Sequence, residues 1–308
     1  MTDSKKPART KDMVHVRGGF SDANGVQEIN TEMQLEEFDD RSRILISNEL
    51  YRILKVVFSN PEKWFLHYSI SNSNNAERDF CKAVINDVFC ERNSLGRLYE
   101  FEWKALFERI NSVIENAVYN EVLDILQYCC QWIDGEIKLG KGQPYTLFNR
   151  LFEEEYIGYR FVDGHIVAIT DEQEISAIET ACNNPYEGCR KQLQKSVEFL
   201  ADRDKKDYKN CIKESISAVE SICQVIVGDE HATLSAALKL LEDNGVIIHP
   251  SLKTAFSKLY GYTSDQGGIR HAEGMFESNV TFEEAKFMLV SCSAFINYMI
   301  AEYGKRTD

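Results

Sequence analysis

A guanidinium and an imidazole stand side by side in the segment GYTSDQGGIRHA, residues 261–272, as Arg270 and His271. The arginine fork matches phosphate oxygens, and histidine exchanges a proton near neutral pH. Together they can hold an RNA phosphate and move the proton of the 2′-hydroxyl or of the leaving oxygen. The glycines Gly267 and Gly268 just before them allow a ligand or another backbone to come close. The same two side chains also suit a structural role, with Arg270 paired to Glu214 or Glu220 to tie two helices together.

Those carboxylates lie in the run KESISAVE, residues 213–220. Lys213, Ser217 and Glu220 fall at i, i+4 and i+7, so one helix face carries all three, and Glu214 and Ser221 form a row beside it. Either row can orient Arg270, and plain surface polarity is the alternative. Arg160 and His165 are another arginine–histidine pair, but they flank Asp163-Gly164, a hairpin-turn signal, which is a poor scaffold for such a site.

Other chemistries have no signature. The chain lacks a Gly-Lys-Ser/Thr phosphate loop, a His-Glu-x-x-His helix and a Gly-x-Ser-x-Gly elbow. Its nine cysteines are odd in number, and none are paired across a two-residue gap. Free thiols in a reducing cytoplasm fit this pattern, and no metal or cofactor is expected.

The elements that must position the site read as helices. Asp39 or Asp40 caps a helix through Leu45, Leu50, Ile53 and Leu54 that ends at Asn60-Pro61. Apolar stripes continue over 76–91, 100–117 and 119–133. Two β-branched and aromatic runs, 156–162 and 165–170, flank the Asp-Gly turn, and Thr170 or Asp171 opens a short helix with Glu174. Helices are then expected over 188–202, 207–227, 233–243 and 250–261, with a loop from Gly261 to Gly268. Thr281 and Glu284 form a capping box for a last helix reaching about Tyr303.

Hydrophobic residues make up 44% of the 308, enough for dense cores, and no run of 18 uncharged apolar residues suggests a membrane span. The net charge of −14 opposes non-specific binding of nucleic acid. It is uneven: residues 190–308 hold 15 Lys/Arg against 17 Asp/Glu, a net of −2, which leaves −12 for residues 1–189. A nucleic-acid partner should therefore prefer the C-terminal part, where the stretch from Arg190 to Lys213 is the most basic. A solvated helix face explains that stretch equally.

The run IKESISAVESI (212–222), the His249-Pro250 corner, LYGYTSD (259–265) and GIRHA (268–272) resemble the HEPN-type C-terminal domain of bacterial abortive-infection proteins. Phe20, Ser21, Gly25, Asp40, Arg41, Leu45, Asn48, Leu50 and Tyr51 are similar to the N-terminal domain attached to AbiJ-type phage-defence proteins. The resemblance implies antiphage defence and a HEPN helical bundle that is often dimeric. In active members the bundle is a metal-independent endoribonuclease, and the arginine and histidine of two protomers meet at a shared cleft. On that reading Arg270 binds the scissile phosphate, His271 is the general acid or base, and Glu214 or Glu220 orients them. Lys213, Ser217, His249, Thr263 and Asp265 are the candidate substrate-binding residues. The implied partners are RNA, a second copy of the chain and a phage-derived trigger.

One departure bears on this. Active members set the two residues several positions apart, so that they converge on one side of a helix. Here they are adjacent, and helix neighbours point about 100° apart. His249 can supply the imidazole, His271 can act from a non-helical turn, or the domain is a non-catalytic module that senses RNA, a nucleotide or a phage protein. The expected architecture is mainly α. It has a tail (1–18), a helical AbiJ-type domain (19–150), a hairpin and short-helix connector (151–186) and a HEPN-like bundle (187–308).

Overall fold

The computed structural model describes residues 32–59, 73–90, 102–136, 142–202, 207–264 and 280–305. These residues are mainly α-helical, with one antiparallel hairpin. The first half holds α1 (Asp40–Ser59), α2 (Ser73–Ala83), a π-helical stretch (Val84–Val88) that prolongs α2, α3 (Trp103–Asn116), α4 (Tyr119–Glu136) and α5 (Gln143–Glu154). The hairpin is β1 (Arg160–Val162) and β2 (His165–Val167). After it come α6 (Glu172–Cys182), α7 (Glu187–Ala201), α8 (Tyr208–Val227), α9 (Leu234–Asp243), α10 (Pro250–Ser264) and α11 (Phe282–Gly304).

Local chemistry sets most of these boundaries. The Asp39 carboxylate accepts the Ser42 N–H at 2.7 Å and starts α1. Asp171 accepts from the N–H groups of Gln173 and Glu174 to start α6. Thr281 and Glu284 exchange both bonds of a capping box at α11. Asp163 and Gly164 both have positive φ, 47° and 83°, as a tight hairpin turn demands. α5 runs across residue 150 into the segment before the hairpin. One expectation shifts. α10 passes Gly261 and continues to Ser264, where a loop was expected, because a glycine inside a helical stretch lowers its stability without ending it.

Two hydrophobic clusters share the hairpin between them. Phe161 and Ile166 are register partners and join the cluster built by α1 to α5. Val162 and Val167, on the opposite face, join the cluster built by α6 to α11. A two-stranded sheet leaves both outer edges with unpaired backbone groups. Asn149 of α5 closes one edge, accepting the Phe161 N–H at 2.6 Å and donating to its carbonyl at 2.9 Å. On the other edge Gln127 of α4 accepts the Ile166 N–H at 2.6 Å.

The segment before α1 is tied to the turn after α5. Gln34 donates its backbone N–H to the Tyr156 carbonyl at 2.8 Å and accepts from Gly158 at 2.9 Å. Arg41 grips Glu155 through Nε and Nη2 at 3.0 Å, and the Glu155 side chain is 4% exposed. Glu155→Gln removes the charge from a buried, two-point grip. We expect a loss of about 1.5–3 kcal/mol, the range for hydrogen bonds to charged groups. A lower urea midpoint at unchanged slope checks this, and an Arg41→Met background should absorb most of the loss.

Candidate functional site

Helix α8 is the centre of the second cluster. Ile212, Ile216, Val219 and Cys223 are buried against α7 and α11. Its tie to α7 is a polar knot: the Ser196 and Ser215 hydroxyls both donate to the Cys211 carbonyl, at 2.8 and 2.9 Å. The buried stripe leaves the other face for polar groups. Lys213 on that face is exposed, while Glu214, Ser217 and Glu220 are half-buried.

Glu220 accepts the Tyr260 hydroxyl of α10 at 2.5 Å. Tyr260 lies four residues before the end of α10, and the chain leading on to Arg270 departs from that end. Ser221, in the neighbouring row, donates to Gln192 of α7 at 2.6 Å and so serves packing. His249 caps the opposite end of α10. Its Nδ1 accepts the Ser251 N–H at 3.2 Å, and its carbonyl accepts from Leu252 and Lys253. Eleven residues separate His249 from Tyr260, roughly 16 Å along a helix axis. The structure therefore joins Glu220 to Tyr260 and leaves His249 as a helix cap at a distance. Thr263 is in α10, but its side chain, together with Asp265, Arg270 and His271, lies outside the described residues.

Arg160 is mostly buried, and its Nη1 donates to the carbonyls of Ile157 and Tyr159, both at 2.8 Å. That guanidinium ties the hairpin's own backbone. The hairpin also brings together titratable groups that sequence spacing gave no reason to group. Burial pushes the Asp163 carboxyl up to about 6 against a hydrogen bond from Gln194, and the nearby Glu198 charge adds to the rise. Burial lowers His165 from its ordinary value, with Glu198 opposing.

The cysteines offer no reactive thiolate at these sites. All nine are free, and eight are buried. Burial pushes the Cys211, Cys223 and Cys292 thiols up to about 12, so they stay protonated at neutral pH. Among the described residues no cluster of His, Cys, Asp and Glu could hold a metal ion, and no helix is long and apolar enough to cross a membrane.

Residues 18–184 match the family described as AbiJ N-terminal domain 4, and the match covers more than half of the chain. The chain belongs to the AbiJ N-terminal domain 4 family. It is thus an AbiJ-type protein of abortive infection, a form of phage defence. No curated protein and no solved structure matches it. The AbiJ match includes the hairpin and α6, although Ile175, Ile178, Ala181 and Cys182 of α6 pack into the second cluster. Asn297 of α11 also donates to the Ala177 carbonyl of α6 at 2.9 Å.

Proposed function

We propose that this AbiJ-type protein acts in abortive infection as a metal-independent endoribonuclease of HEPN type. Its AbiJ domain would receive a phage-derived signal, and its C-terminal bundle would cut RNA as a dimer. Arg270 holds the scissile phosphate, and His271 exchanges protons with the attacking 2′-hydroxyl or the leaving oxygen. Glu220 orients the pair, while Glu214, Lys213, Ser217, Thr263 and Asp265 serve as secondary contacts.

The Tyr260–Glu220 bond carries this reading most directly. It joins the polar face of α8 to α10 shortly before the chain enters the segment with Arg270. A carboxylate fixed in that way is suited to orienting a guanidinium. The bundle is also the less acidic part of the chain, so RNA meets less repulsion there.

The test is direct. The purified full chain, concentrated to favour a dimer, is incubated with a mixed RNA pool in EDTA. Cleavage into products with 2′,3′-cyclic phosphate or 3′-phosphate ends is expected. Intact RNA at every protein concentration, with phage protection retained in cells, overturns the nuclease reading. A non-catalytic interaction module is the second reading, and the adjacency of Arg270 and His271 favours it. In that case RNA binds and stays whole.

A further inference from the structure

Strand β2 floors a cleft between α4 and α7. The cleft consists of two adjoining hollows that share Asn120, Ile166, Ala201 and Asp202. One holds roughly 250 Å³ and the other roughly 510 Å³. Asp124, His165 and Glu198 edge the smaller hollow, so its rim is polar and rich in acceptors. Two aromatic pairs flank the larger one. Tyr119 stacks on Tyr159 with centroids 6.2 Å apart, and Tyr208 meets Phe282 edge-on at 5.9 Å. The first pair comes from the AbiJ-matched part of the chain, and the second from the bundle.

We propose that this cleft binds an amino-bearing planar heterocycle of nucleoside size that carries no phosphate. The ring lies against the two aromatic pairs, and its exocyclic amine donates to Glu198 and Asn120. Three chemical arguments support this class of ligand. Aromatic faces stack on a planar heterocycle whatever its substituents. A carboxylate accepts well from an exocyclic amine, as Asp and Glu do from cytosine N4. The Glu198 carboxylate at the rim disfavours a phosphate group beside it, and the neighbouring His165, lowered from its ordinary value by burial, offsets it little. The larger hollow falls in the range of small-molecule sites, roughly 300–1,000 Å³. Such a ligand touches α4 and α7 at once, so binding favours the arrangement in which the AbiJ part and the bundle are closed on each other. The proposal stands whether or not the bundle cuts RNA.

Melting of the full chain, followed with adenosine, cytidine, uridine, adenosine monophosphate and spermidine, tests the proposal. Adenosine or cytidine should raise the melting temperature in a saturable way, and uridine should do so less. Ala168, exposed at the larger hollow, gives a blocking variant: Ala168→Trp should abolish the rise. Glu198→Gln, a near-isosteric change on an exposed side chain, should weaken binding at least several-fold with the unliganded melting point unchanged, and it carries the test if Ala168→Trp does not fold. No rise with either amino nucleoside at millimolar concentration overturns the proposal. So does an equal rise in a folded Ala168→Trp or in Glu198→Gln, an equal rise with spermidine, or tighter binding of the monophosphate.

Discussion

Phe161→Ala should cost about 3–5 kcal/mol of stability, the usual range for emptying a fully buried aromatic site. Phe161 is 0% exposed. Its ring stacks on Tyr145 at 5.0 Å and on Phe152 at 6.3 Å with 11° between planes. Alanine would leave a void bounded by α5, whose Asn149 holds the same strand. The damage should reach beyond the first cluster, since the next residue, Val162, packs into the second. Tryptophan fluorescence reports on the first cluster through Trp103 and Trp132, and far-ultraviolet circular dichroism reports on all helices. Both transitions should move to lower urea together. A loss below about 1 kcal/mol would show that the hairpin is not a working part of either core.

Arg270→Ala should lower RNA cleavage by roughly 10²–10³-fold, the scale seen when one donor to a developing negative charge is removed. Phage protection should fall with it, while the urea midpoint stays near that of the parent chain. Arg270→Lys separates charge from geometry. Lysine keeps the charge and loses the two-point fork, so it should restore only part of the activity. His271→Ala should flatten one limb of the pH–rate profile, which a purely structural role for His271 would not do. Full cleavage by Arg270→Ala would remove this arginine from the chemistry.

Legibility followed the range of the forces involved. The capping box at Thr281 and Glu284 spans four residues and can be read directly, as can the Asp163-Gly164 turn. Helix α5 has only a weak local signature. Its start rests on Gly142 at φ 76° with Pro144 just inside, and its apolar set, Leu147, Phe148, Leu151 and Phe152, is short and lies close to the hairpin. The grip of Arg41 on Glu155 joins residues 114 apart, which no local pattern encodes. The cleft was equally hidden, because Asn120, His165 and Glu198 come from three elements and converge only when the hairpin is seated between them. The polar face of α8 was visible as an i, i+4, i+7 row, but its partner Tyr260, 40 residues away, was not.

The inherited unit and the self-supporting unit of this protein are different lengths of chain. A recombination junction at residue 184, where the AbiJ match stops, would carry α6 away from the helices it packs against. The recipient would lose the apolar wall made by Ile178 and Cys182 and the carbonyl that Asn297 uses. Exchange of the chain that follows the AbiJ match would therefore require either that each newcomer fit the same α6 surface, or that the crossover fall upstream, within the two strands.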